Sequence, residues 1–253
     1  MLMKDKVCVV TGAASAHGIG RATAKLLAEN GANVVVMDIS ERIGSTAEVL
    51  SGEYPDNRFH AIRCDISSKS ECEAARDIVL REFGHVDALI HSAGIMRPAK
   101  FEAISEADFS EMIAINLTGT FNIIQAFAGS MIERRAGSIV SVASVAAQRG
   151  GGLFGGAHYA ASKGGVLSLV KTLARECGPA RVRVNAVCPS LIETDFVAGA
   201  MSAERLQELS TSIPLGRPGR PEEVAGACMF LASDLSGYMT GTTLDVNGGI
   251  HIH

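Results

Sequence analysis

Tyr159 and Lys163 stand four positions apart in a stretch with helical apolar spacing. At that separation a phenol and an ammonium project from one helix face and can share a ligand. A free phenol titrates near pH 10, so proton exchange at neutrality asks for its pKa to fall to about 7, roughly 4 kcal/mol. An ammonium about 4 Å away supplies energy of that order at an effective dielectric of about 20. Lys163 is therefore expected to pull the Tyr159 pKa down. The same pair alone also describes an ordinary solvated helix face, so its neighbours carry weight. Ser144 follows a short β-branched run and can hydrogen-bond a substrate oxygen that gains charge. Asn116 lies in an uncharged stretch, either as a structural amide or as the holder of a water in a proton path.

A second constellation suits a phosphate-bearing ligand. Thr11 to Gly20 reads T-G-A-A-S-A-H-G-I-G between an apolar run and a helical pattern. Glycines there let the backbone turn tightly and approach a pyrophosphate, while free N–H groups and the positive end of the helix face the negative charge. Asp38 ends the run Val34-Val35-Val36-Met37 eighteen residues past Gly20, near the spacing of about 20 that a ribose-binding acid requires. A carboxylate there accepts from the adenosine 2′-hydroxyl and repels a 2′-phosphate, which favours NAD over NADP.

The elements that must position these groups are legible as an alternation. Short β-branched runs (Lys6 to Thr11, Asn33 to Asp38, Arg58 to Cys64, Val86 to His91, Ser138 to Ala143, Arg181 to Val187, Thr242 to Val246) are separated by stretches of helical spacing. This rhythm predicts an α/β fold, a single Rossmann-type doubly wound parallel sheet of about seven strands with helices on both faces. One helix is predicted from near Gly18 to Asn30-Gly31, with Ile19, Ala22, Thr23, Leu26 and Leu27 on its apolar stripe. Another runs from about Ala157 to Gly178-Pro179, with Val166, Leu169, Val170, Leu173 and Ala174 inward. The 253 residues show no repeat, linker or composition break, so residues 1–253 are expected to form one dinucleotide-binding and catalytic domain. The Pro- and Gly-punctuated segment 190–220 is expected to act as a substrate lid.

Composition narrows the partners. A net charge of −4 and the absence of Trp offer no basic field, so no nucleic acid partner is expected. The uncharged run from Met112 to Ile132 is interrupted by polar residues and reads as a buried helix, with no membrane partner. Six scattered cysteines with no C-x-x-C pair read as reduced thiols in a cytoplasmic protein. The seven histidines form no zinc-binding pattern, His251 and His253 reading as an exposed tail, and no metal is expected.

Taken in order and spacing, these residues resemble the short-chain dehydrogenase/reductase family in its classical form, over almost the whole chain. The resemblance implies a catalytic set of Asn116, Ser144, Tyr159 and Lys163. Tyr159 is then the acid/base, Lys163 lowers its pKa and holds the nicotinamide ribose, Ser144 orients the substrate oxygen, and Asn116 supports the proton relay. It implies a cofactor site made by Gly12, His17, Gly18, Ile19, Gly20, Asp38, Ile39, Asp65, Ile66, Ser92, Ala93, Gly94, Tyr159, Lys163, Ile192 and Thr194. It also implies a homotetramer, with the helix from Met112 to Ile132 and the final strand as contact surfaces.

The departures from the family pattern are specific. Gly12 and Gly18 enclose five residues where three are usual, so Ala16-His17 resemble an insertion; His17 either meets the pyrophosphate or caps the loop. His91-Ser92-Ala93-Gly94 replaces the usual Asn-Asn-Ala-Gly, and Ser190 stands where a glycine is usual after Pro189. The loop Gly150 to Gly156, with five glycines around Leu153 and Phe154, points towards a small polar pocket and a polyol or sugar-like alcohol.

The expected function is an NAD-dependent transfer of hydride between nicotinamide and a small-molecule secondary alcohol or ketone. Within the enzyme class the alternative is a 3-oxoacyl thioester reductase, against which Asp38 and a Gly-rich turn without Arg or Lys both speak. A non-catalytic dinucleotide-binding regulator is the alternative of another class, and the presence of Ser144, Tyr159 and Lys163 together disfavours it.

Overall fold

The computed structural model describes residues 1–151, 155–198 and 203–253. Seven strands, β1 (Val7–Thr11), β2 (Asn33–Asp38), β3 (Phe59–Arg63), β4 (Ala88–His91), β5 (Gly137–Val142), β6 (Val182–Pro189) and β7 (Thr243–Val246), form one sheet in the order β3-β2-β1-β4-β5-β6-β7. Every pairing is parallel. A parallel sheet covered on both faces asks for apolar residues on both sides of each strand, and β1 supplies them: Val9 faces one core, Cys8 and Val10 the other. The strand order reverses between β1 and β4, so the carboxyl ends of those two strands splay apart and leave a crevice for a ligand.

Helices α1 (Ile19–Glu29), α2 (Ile43–Glu53) and α10 (Pro221–Ala232) cover one face. The other is covered by α3 (Lys69–Phe83), α5 (Gly119–Arg134) and α7 (Ala157–Cys177), with α4 (Glu106–Ile113) leading into α5. Two of these helices follow the expected bounds to within a residue or two. The stripe of α1 differs: Thr23, Ala24, Leu27 and Ala28 are buried, while Ala22 and Leu26 are only partly covered. The helix packs on α10 as well as on the sheet, and that second neighbour turns the buried face.

Between α4 and α5 lies a π-helical turn, Ala114–Thr118. The continuous stretch Glu106–Arg134 is long and apolar enough to cross a membrane, yet 56% of its apolar window is buried in the protein, with Phe127 and Met131 wholly enclosed. The remaining short helices are α6 (Ala146–Arg149), α8 (Asp195–Ala198) and α9 (Ala203–Ser210). All six cysteines are buried and unpaired. The chain end is not a free tail: His253 Nε2 lies 3.1 Å from Asp245 Oδ2, and Asn247 Nδ2 donates to the His251 carbonyl.

Candidate active site

The carboxyl ends of β1 to β6 line a cavity of about 890 Å³, within the size range of small-molecule sites. Its far end on one side is Asp38, at the end of β2, and Asp65, just past β3. The Asp38 carboxylate is held by two backbone N–H groups, Ala14 to Oδ2 at 3.0 Å and Ser40 to Oδ1 at 3.0 Å. Asp65 Oδ1 accepts from the Ser67 N–H and hydroxyl. Ile39, exposed at 56%, and Ile66 give this end apolar surface beside the two carboxylates. The Gly-rich turn forms the middle. Gly12 has φ +71°, and a Cβ on it would meet the Ala93 N at 2.7 Å; a Cβ on Gly20 would meet the Gly12 carbonyl at 2.3 Å. Both positions therefore exclude side chains, and the backbone of the turn stays bare towards the cavity.

The other end collects Ser144, Tyr159 and Lys163, with Ser92, Ala93 and Gly94 between. Lys163 is buried, and its Nζ donates to the Val142 carbonyl at the end of β5, 2.8 Å away. Burial lowers its pKa to about 8. Tyr159 as a residue is half-buried, but crowding around its hydroxyl pushes its pKa up, against a smaller downward pull from the Ser144 hydroxyl within hydrogen-bonding reach. The expected lowering by Lys163 is thus reversed in sign, because desolvation of the phenolate outweighs the attraction of an ammonium that is itself desolvated and committed to a carbonyl.

Asn116 sits in the π-helical turn and is wholly buried. Its Oδ1 accepts from the Ile95 N–H and its Nδ2 donates to the Ile95 carbonyl, both at 2.8 Å. The amide is a clamp on the loop after β4. It also adjoins Lys163, since a Cβ on Gly94 would lie 3.0 Å from Asn116 Oδ1 and 3.6 Å from Lys163 Nζ.

Comparison with known proteins matches this arrangement along the chain. A family model described as enoyl-(acyl carrier protein) reductase matches residues 12–251. An uncharacterized short-chain type dehydrogenase/reductase of Sinorhizobium fredii is 47% identical over 100% of both chains. The chain belongs to the short-chain dehydrogenase/reductase family. A 3-oxoacyl-(acyl-carrier-protein) reductase of Thermotoga maritima is 40% identical over 100% of both chains, and a D-threitol dehydrogenase of Mycolicibacterium smegmatis is 40% identical over 99% of this chain and 94% of that one. The crystal structure of a levodione reductase superposes with a TM-score of 0.93 at 30% identity, covering 98% of each chain. This short-chain dehydrogenase/reductase is therefore an oxidoreductase of small molecules that uses a nicotinamide dinucleotide. The bare glycine turn and the pinned Asp38 carboxylate fit such a group.

The departures of this short-chain dehydrogenase/reductase from the family pattern now have places. His17 is not on the cavity wall: its backbone N–H donates to Asp195 Oδ2 at 3.1 Å, and its Nδ1 lies 2.9 Å from Asp195 Oδ1. Ser15 adds a bond to Asp195 Oδ2 at 2.7 Å, and these partners hold the Asp195 carboxyl at a pKa of about 2. The insertion thus ties the glycine turn to α8 across the cavity mouth. Ser190 turns its hydroxyl to the Asn247 carbonyl at 3.0 Å, away from any conflict with the cavity. Gly20 lies behind the wall, supporting Gly12, whereas Ile192 and Thr194 line the cavity. Leu153 and Phe154 of the glycine loop lie outside the described residues. Among the described residues no group of His, Cys, Asp or Glu could hold a metal ion.

His91 is the centre of a buried hydrogen-bond chain. The Ser92 and Ala93 N–H groups donate to Thr11 Oγ1, and Thr11 Oγ1 is 2.8 Å from His91 Nδ1. His91 Nε2 is 3.0 Å from Thr120 Oγ1, which donates to the Asn116 carbonyl at 2.6 Å. With Thr120 spending its proton on that carbonyl, Nε2 must be the His91 donor and Nδ1 the acceptor. Burial, with Lys163 adding to it, lowers the His91 pKa to about 3. A depressed folded-state pKa means that the unfolded chain takes up a proton first: the contribution is full above about pH 6.5 and is lost as pH falls towards 3. Urea midpoints at pH 7.5 and pH 5 are expected to diverge by less in His91→Gln than in the parent protein, although the variant is less stable at pH 7.5.

Sequence reasoning missed Asp195, and it read Ser15 and Thr11 only as members of the Gly-rich turn: the first pairs with Asp195 across 180 positions, and the second ends β1. It also missed Arg149, which lines the cavity from the end of α6. The charge of Arg149, five residues after Ser144, was the available signal.

Proposed function

We propose that this protein is an NAD-dependent oxidoreductase that interconverts a secondary alcohol and its ketone. The reading rests on one observation above the others: Ser144, Tyr159 and Lys163 meet at one end of the cavity whose opposite end presents a fixed Asp38 carboxylate. When bound, the nicotinamide ring accepts or returns the hydride. Ser144 holds the substrate oxygen by a hydrogen bond, and Tyr159 exchanges the proton with that oxygen. Lys163, fixed on Val142, keeps two further donors for the nicotinamide ribose and for the phenol one helical turn before it. Asn116 acts through the clamp on Ile95, keeping the loop of Ser92 to Gly94 in register with Lys163. Oxidation of the alcohol releases one proton and passes one hydride, so its rate is expected to climb with pH.

Asp38 is the determinant of NAD over NADP, because a 2′-phosphate would meet a carboxylate whose lone pairs are already oriented by two N–H groups. Initial rates with the four cofactors and a reactive secondary alcohol or ketone test it. The parent protein is expected to favour NAD(H) by at least about a hundredfold in kcat/KM, and Asp38→Ser to cut that preference at least about tenfold. A parent protein that works better with NADPH overturns the assignment and favours the thioester reductase reading.

Further parts of the reading are a cytoplasmic location, supported by six buried thiols, and a homotetramer. Phe109 and Phe121, 44% and 42% exposed, flank the π-helical turn as apolar surface for a second copy. The lid remains the segment 190–220, of which the part from Ile192 through α8 is held by Asp195 on the glycine turn.

A further inference from the structure

We infer that Arg149 is a specificity-determining residue and that the natural substrate is a hydroxy acid or oxo acid whose carboxylate it receives. This rests on the reading of Ser144 and Tyr159 as the pair that handles the alcohol, and it narrows that reading to a substrate class.

Charge accounting along the cavity leads to it. Among the described residues the wall carries three carboxylates, Asp38, Asp65 and Asp195, and two cations, Lys163 and Arg149. Asp38 and Asp65 lie at the β2 and β3 end, far across the sheet from α6. Asp195 is saturated by Ser15 and His17, and Lys163 is buried on a main-chain carbonyl. Arg149, solvent-exposed at the rim, remains as a cation on the wall with no ion-pair partner among the described residues. The Asp245 carboxylate on β7 faces Gln148 and His253 instead, and no ion pair joins it to Arg149 among the described residues.

The guanidinium is also held. Its Nη1 donates to the Ile250 carbonyl at 3.0 Å, on the chain end that folds back towards α6. Among the described residues no partner faces Nε or Nη2, the edge that accepts a carboxylate with two parallel hydrogen bonds. Arg149 follows Ser144 by five residues on the short helix α6, so the anion and the reacting carbon of one small substrate are brought to the same end of the cavity. Ile95, Met96 and Phe196 also line the cavity and suit a short hydrocarbon body. A neutral polyol would leave the guanidinium edge unused and the apolar wall against hydroxyls.

The test is NAD-linked oxidation of straight-chain 2-, 3- and 4-hydroxy acids of four to six carbons, each beside its methyl ester, with acetoacetyl-coenzyme A reduction as a separate arm. The parent protein is expected to show a kcat/KM at least tenfold higher for one acid than for its ester. In Arg149→Met that acid-to-ester ratio falls by ten- to a hundredfold, through KM, and in Arg149→Lys it is partly restored. NADH binding and the thermal midpoint of each variant report that the protein is folded. Oxidation of esters or polyols with no preference for any acid overturns the assignment of Arg149 while leaving the oxidoreductase reading intact. A loss in Arg149→Met confined to the thioester overturns it in favour of a phosphate-bearing substrate. Absence of turnover on every member by a protein that binds NADH sinks both readings together.

Discussion

Tyr159→Phe is expected to lower kcat by at least about a thousandfold in both directions while NADH binding, followed by nicotinamide fluorescence, changes by no more than about twofold. Loss of a positioned acid/base typically costs about 10²- to 10⁴-fold, and the proposed reaction assigns that part to the phenol oxygen. Removing one hydroxyl leaves the ring packed as before, so the thermal midpoint should stay within a few degrees. The pH profile of the parent protein carries further information. Burial raises the Tyr159 pKa, so the phenol is protonated at neutrality and ready to donate. Reduction should run level through pH 7 and fall only in alkali, whereas oxidation, which needs the phenolate, should rise about tenfold per pH unit until the raised pKa is reached. Substantial turnover by Tyr159→Phe on any good substrate would remove Tyr159 from its role.

Lys163→Met should separate activity from stability. Activity is expected to drop by about a thousandfold, because the phenol loses its neighbouring donors. Stability at pH 7 is expected to rise. The folded-state pKa of about 8 lies below the ordinary 10.5, so the folded protein is penalised for holding the charge. The penalty is full below about pH 8 and fades as pH rises towards 10.5, because only the unfolded chain keeps the proton in that window. Its size is at most about 3 kcal/mol, from which the unpaired Val142 carbonyl subtracts about 1–2 kcal/mol. A thermal midpoint higher by a few degrees at pH 7, with the gain shrinking at pH 10, is the expected result. An inactive variant that is less stable at pH 7 would show that the ammonium is better accommodated than its burial implies.

The parts of the fold that are local in origin were legible. Runs such as Val34-Val35-Val36 become strands because β-branched residues suit a sheet covered on both faces, and the alternation with helices forces parallel pairing. Residues of the candidate site at strand ends were legible for the same reason, since topology alone brings Asp38, Ser92 and Ser144 to one edge. What depends on distant contacts was not. The rotation of α1 follows from α10, some 200 residues along the chain, and the bridge from Ser15 and His17 to Asp195 joins segments equally remote. The electrostatics of Tyr159 came out with the wrong sign because spacing reveals a neighbouring charge but not how much water surrounds either group. Arg149 was passed over because its meaning lies in the missing counter-charge around it, which no local pattern displays.

The π-helical turn at Ala114–Thr118 separates what the protein needs to fold from what it needs to work. Such a turn is an α-helix with one residue inserted. Deleting a single codon there would leave α4 and α5 joined as a regular helix in their present places, with the same apolar packing. The molecule would still assemble, yet the Asn116 amide would swing off Ile95 and the loop after β4 would lose its anchor. The surplus residue is thus a device that the architecture tolerates rather than requires, and a lineage that abandoned the chemistry could shed it without losing the fold.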